Sequence, residues 1–134
     1  DGLGAEAAEA AMAVEDARYN LAEKSRQLSE STRALDVART DSTRLLAAAD
    51  AAEAEAEAAD SEVQACIAAG ETEKAMLAMQ AVGRFRETAR AKRSASMRAL
   101  DKVRALEAKQ DSLREEEVAA LEELGRAESA HGEL

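Results

Sequence analysis

Few side chains in this sequence could do chemistry. Cys66 is the single thiol and His131 the single imidazole. A thiol becomes a nucleophile when a base or a cation lowers its pKa. Neither a His nor an acid is placed to activate Cys66, so it reads as a small apolar residue. His131 sits beside Gly132 and Glu133 near the chain end and reads as having no role. The acid runs Glu115-Glu116-Glu117 and Glu53/Glu55/Glu57 lack the spacing of a cation loop and read as solvated faces. There is no glycine-rich phosphate loop and no Ser/His/Asp set. The expectation is a protein that is not an enzyme and holds no metal and no cofactor.

Chemistry of contact remains. Between Arg84 and Lys109 there are nine bases against three acids, and between Asp50 and Glu62 six acids and no base. Arg84, Arg90 and Arg98 could form a basic face for anionic lipid or nucleic acid. The competing reading lets the base-rich segment face the acid-rich one within the chain. No aromatic residues interleave the bases for base stacking, and a chain of net charge -10 and pI about 4.7 excludes nucleic acid as a partner. A second candidate is the apolar stripe Met76, Met97 and Val118, flanked by Met79, Leu100 and Leu121. Part of it widens the core. The rest offers a docking face, for which methionine suits varied partners.

These residues must be positioned by helices. The chain has 134 residues, 46% of them hydrophobic and 34% charged, with no Pro, no Trp, one Tyr and one Phe. Alanine supplies 35 of the 134. Such composition describes long helices or a coiled coil, and the scarcity of β-formers excludes a sheet. Gly70 follows Ala68-Ala69 and precedes an acidic first turn at Glu71 and Glu73, so it reads as the end of one helix and the start of another. Gly83 lies among good helix formers and reads as a local weakness.

Strict alternating 3-4 spacing gives each helix a seam. The first runs Val14, Ala17, Leu21, Lys24, Leu28, Ser31, Leu35 and onward to Cys66. The second runs Ala75, Ala78, Val82, Phe85, Ala89, Lys92 and onward to Ala127. Folding at Gly70 pairs seam residues whose numbers add to 141, so Ala56 meets Phe85, Leu35 meets Leu106, Lys24 meets Glu117 and Ser31 meets Gln110. Beside the seam, pairs adding to 146 bring Arg18 to Glu128, Glu53 to Arg93, Asp60 to Arg86, Leu46 to Leu100 and Ile67 to Met79. The expected fold is all-α, a long antiparallel two-helix coiled-coil hairpin over 1–134. Its first arm covers about 5–69, the hairpin turn uses Gly70 and Glu71, the second arm covers about 72–128, and both ends fray.

No apolar run approaches the length of about 18 residues that spans a membrane. No signal peptide is visible, and the missing initial Met suggests a fragment or a processed start. A lone cysteine fits a reducing compartment, so the expected location is cytoplasmic.

The tip reads Cys66-Ile67-Ala68-Ala69-Gly70-Glu71-Thr72-Glu73-Lys74-Ala75-Met76-Leu77-Ala78-Met79. It resembles the hairpin tip of the phage-shock protein A (PspA/IM30) family of the ESCRT-III superfamily, through Ile67, Gly70, Glu73, Ala75, Ala78 and Met79. The family's R-E-D-L step is Glu71-Thr72-Glu73-Lys74 here. The segment Asp16 to Lys24 is also similar to the family's first long helix. The resemblance implies a bacterial protein peripheral to the inner membrane that assembles with itself into rods or rings, remodels stressed membranes and restrains an AAA+ regulator. The family's N-terminal amphipathic helix has no counterpart here, so lipid contact is expected only through segments outside this chain. The alternative reading is a rigid coiled-coil spacer or binding arm of a larger protein.

Overall fold

The structure, a computed structural model, describes residues 2–134; Asp1, the first residue of the expected hairpin, lies outside the described residues. Two helices, α1 (Gly2–Ala68) and α2 (Thr72–Gly132), pack against each other as an all-α helical hairpin. Neither meets a proline, and alanine, glutamate and arginine all favour helix. Gly83 accordingly interrupts nothing, and α2 runs straight through it. The arms also extend beyond their expected limits: α1 already begins at Gly2, and α2 continues past residue 128 to Gly132. Residues 129–131 contain no breaker, and the amide of Glu133 still donates to the Ser129 carbonyl at 3.1 Å.

The reversal is built on one left-handed residue. Gly70 has φ of 72°, where a side chain would collide with the following carbonyl and glycine has none. That conformation closes a Schellman turn. The Glu71 amide donates to the Cys66 carbonyl at 2.9 Å and the Gly70 amide to the Ile67 carbonyl at 3.1 Å, which satisfies two carbonyls the end of α1 leaves open. Glu71 then caps the start of α2, its carbonyl accepting from the Ala75 amide at 2.9 Å. Lys74 Nζ lies 3.2 Å from Glu71 Oε2 across that first turn.

Residue contacts divide the hairpin into two units, where the sequence suggested one. One unit holds residues 1–36 with 105–134, the other 37–104. In any helix pair a layer touches only the layers beside it, so compactness does not spread along the seam as it does in a globule. In the first unit Val14, Ala17, Leu35, Leu113 and Ala120 are buried, together with the polar Ser31 and Gln110. The second is lined with small residues: Ala38, Ala49, Ala52, Ala56, Ala75 and Ala89 are buried, with Val63, Cys66, Val82 and Val103 between them. Every seam residue from Val14 to Cys66 is buried or half-buried, and so is every one from Ala75 to Ala127 except Phe85 and Lys92.

Phe85, the expected partner of Ala56, stays partly open on the seam. Its ring is 38% exposed while Ala56 is buried. Two helices that meet on alanine leave no depth for an aromatic ring, and no third element covers its far side. Lys92 turns outward because its ammonium stays hydrated there.

The two interior glycines make opposite predictions. A Cβ added at Gly83 meets nothing within 4 Å in an ordinary helical backbone, so Gly83→Ala should stabilise by about 1 kcal/mol. Gly70→Ala has the same open space but the wrong backbone, and should cost about 1–2 kcal/mol. Urea unfolding followed by circular dichroism measures both.

Candidate functional site

In the unit formed by residues 1–36 and 105–134, the polar seam positions reach sideways and not straight across. Gln110 Nε2 donates to Thr32 Oγ1 at 2.9 Å, and Thr32 Oγ1 donates onward to the Leu28 carbonyl at 2.9 Å. One heptad along, Ser25 Oγ donates to Glu117 Oε2 at 2.8 Å. Lys24 Nζ lies 3.7 Å from Glu116 Oε2. The seam had suggested Ser31 with Gln110 and Lys24 with Glu117. Serine is too short to span the interface, so the Ser31 hydroxyl is buried without a hydrogen-bond partner among the described residues. Lysine is long enough to swing its ammonium to the edge, where Glu116 waits. Thr32 and Ser25 were not legible as partners, although each follows a polar seam residue directly. At the far edge of this unit Arg18 Nη2 lies 3.9 Å from Glu128 Oε1, the expected pair.

In the unit formed by residues 37–104, Arg93 and Arg86 form ion pairs across the two helices on one flank. Arg93 forks onto Glu53, Nε to Oε1 at 2.8 Å and Nη2 to Oε2 at 2.7 Å, and Nη2 also reaches Asp50 Oδ1 at 2.7 Å. Arg86 Nη2 donates to Asp60 Oδ1 at 3.3 Å. The double hydrogen bond from Arg93 holds the Glu53 carboxyl below the ordinary carboxylate range, and the same bonds raise the pKa of Arg93. On α1 alone, Arg26 bridges Glu23 and Glu30, and its hydrogen bond pulls Glu23 down to about 2.

Arg84, Arg90 and Arg98 do not line one common depression. Arg90 lines a shallow groove with Arg86, Arg93, Glu53 and Glu57 over a floor of Ala56 and Ala89. Arg98 lines a different depression, beside Asp41 and Lys102. Arg84 is exposed and lines neither. Two of the three arginines therefore look onto carboxylates. The apolar candidates are open to water: Met76 is 60% exposed and Met97 62%, and Val118, in the other unit, is exposed as well. The neighbours expected to cover them do so incompletely. Ile67 and Met79 share one depression near the turn over Val63 and Val82, yet both remain exposed, as do Leu46 and Leu100. They flank the seam, and nothing in a two-helix layer lies above a flank.

Cys66 has a neighbour that the sequence reading missed. Its Sγ donates to Glu62 Oε1 at 3.7 Å, one helical turn back. Burial raises the thiol pKa, and the Glu62 carboxylate raises it further, which holds the sulfur away from the thiolate form. No cluster of three or more His, Cys, Asp or Glu side chains converges among the described residues. No helix among them is long and apolar enough to cross a membrane. No model of a protein family, no curated protein and no solved structure matches the chain. The reading of what it does therefore rests on the hairpin and its flanks.

The Glu53–Arg93 bond sets a pH dependence. A carboxyl whose folded pKa lies below its ordinary 4.5 stabilises the fold above that pH and loses the contribution as pH falls through the folded value. Arg93→Gln should therefore melt earlier than wild type at pH 7, and the gap should narrow as the pH falls below 4.5. A gap that stays constant as the pH falls would show that it does not come from the charge on Glu53.

Proposed function

We propose that the chain is a non-catalytic structural hairpin that works by contact: it assembles with itself through its exposed flank. One observation carries this reading. Met76, Met79, Met97 and Leu100 are all 42% or more exposed on a helix whose seam is covered apart from Phe85 and Lys92. Apolar side chains left at regular helical spacing beside a finished interface favour a further helix, because water disfavours them and their neighbours within the hairpin cover them only in part.

The tip resemblance extends the proposal to a role like that of phage-shock protein A, peripheral to the inner membrane on its cytoplasmic side and engaged in membrane stress and remodelling. The Gly70 turn is compatible with such a hairpin, and an AAA+ regulator is the partner the resemblance implies. On this reading the hairpin supplies assembly and not lipid affinity. Its net charge is -10, and Arg86 and Arg93 already bond to acids of α1. A free basic residue near an anionic surface contributes about 1 kcal/mol, which neighbouring carboxylates largely cancel. Membrane affinity then belongs to an amphipathic segment joined to the hairpin.

Residues 1–134 alone should stay in the supernatant when spun with anionic vesicles at physiological salt, and should join the pellet once an amphipathic helix is fused ahead of them. Strong, salt-sensitive binding by the hairpin itself would contradict this division of labour and make the stretch from Arg84 to Lys109 a lipid-binding face.

A further inference from the structure

The flank of the 37–104 unit carries a charge and apolar pattern that the ion pairs of Arg86 with Asp60 and of Arg93 with Asp50 and Glu53 use only in part. With the seam residues at heptad positions a and d, the flank residues fall at b and e, centred about 100° round each helix from the seam. On α1, between Leu46 and Ile67, those positions hold Asp50, Glu53, Glu57, Asp60 and the uncharged Gln64. On α2, between Met79 and Met97, they hold Gly83, Arg86, Arg90 and Arg93. One flank thus presents an acidic helix edge beside a basic one, with an apolar cluster near the turn (Ile67, Met76, Met79) and another three heptads away (Leu46, Met97, Leu100). All six apolar residues are exposed.

We infer that this flank binds the same flank of a second copy of the chain, with the two hairpins parallel and turn beside turn, so that α1 of each lies over α2 of the other in a four-helix cluster. The inference rests on the self-assembly reading above and adds its face, direction and register. Charge decides the direction. An antiparallel arrangement on this flank lays α1 on α1 and α2 on α2, acids on acids and bases on bases. A two-fold axis along the hairpin instead lays the four acids over the three bases. It also keeps each level opposite its like, so Ile67 meets Met79 of the second copy and Leu46 meets Leu100 of the second copy. The right-angle offset of the two faces suits a helix that serves two neighbours at the corners of a square.

Two residues are left for the second copy. Glu57 and Arg90 line the same groove, and neither makes a hydrogen bond or ion pair with any described residue. In the inferred register each faces the other across the interface, two pairs per dimer. Size also allows it. The flank between the apolar clusters spans about 30 Å along two helices each about 10 Å wide, so the dimer covers roughly 1,200 Å², the lower end of what a specific interface needs.

Sedimentation equilibrium of the whole chain tests the inference. Wild type should form a dimer that weakens as salt is raised. Glu57→Arg and Arg90→Glu should each weaken it about tenfold or more, and the double reversal should recover most of the loss. Both positions are exposed, and circular dichroism checks that each variant remains helical. In a Cys66→Ser background, chains carrying Glu57→Cys mixed with chains carrying Arg90→Cys should oxidise to a 57–90 link, and neither alone should form a 57–57 or 90–90 link. A dimer indifferent to both reversals, or one linked 57–57, overturns the face or direction while self-assembly stands. A chain that stays monomeric at millimolar concentration overturns both.

Discussion

The left-handed backbone at Gly70 determines which levels of α1 and α2 meet, and most of the remaining structure depends on that register. A Schellman closure admits one path from helix to helix, and the chain leaves it with Cys66 and Ala75, both buried, at the first seam layer beyond the turn. From there the alternating 3-4 spacing carries the register along both arms without correction. A slip of one heptad would keep apolar residues on the seam but would take Glu53 away from Arg93 and Asp60 away from Arg86. The seam supplies most of the burial and tolerates several registers; the ion pairs supply little energy each and tolerate one.

The seam's composition limits what the hairpin can cover. An alanine-lined interface brings helices close and buries little area per layer, so stability comes from many small contacts and not from a few large ones. Where alanines line the seam, larger side chains find little room inside, although Leu35 and Leu113 are buried nearer the chain ends. Phe85 remains 38% exposed, and the methionines, Leu46, Ile67 and Leu100 lie along the flank. The same property that makes a long, even seam leaves an apolar and charge-patterned edge available for contact. In this account the contact surface is a by-product of the packing and needs no loop or pocket to build it.

Helices, turn and register were readable because each rests on a local rule: propensity, a glycine beside an acidic first turn, and a repeat of seven. Arg18–Glu128, Glu53–Arg93 and Asp60–Arg86 all followed from numbering alone. What escaped was lateral. Gln110 turns to Thr32 and Glu117 to Ser25, because long polar side chains leave an apolar seam for the nearest hydroxyl beside it. A heptad reading pairs seam with seam and cannot see that step. Arg93 reaches Asp50 as well as Glu53 because guanidinium has donors to spare, and Cys66 meets Glu62 through simple i, i+4 proximity on one helix. Arg90 and Arg98, eight residues apart, line different depressions on opposite flanks of α2, a separation that a count of bases along the sequence cannot show.

Register is the central claim, and disulfide trapping at the seam measures it most directly. In a Cys66→Ser chain kept dilute, Leu35→Cys with Leu106→Cys should close within one molecule, since their Cα atoms must approach to less than about 7 Å for the bond to form. Leu35→Cys with Leu113→Cys, one heptad further on, should remain reduced under the same conditions. Preferential closure of the 35–113 pair, or closure of 35–106 only between molecules, would contradict the hairpin register described here.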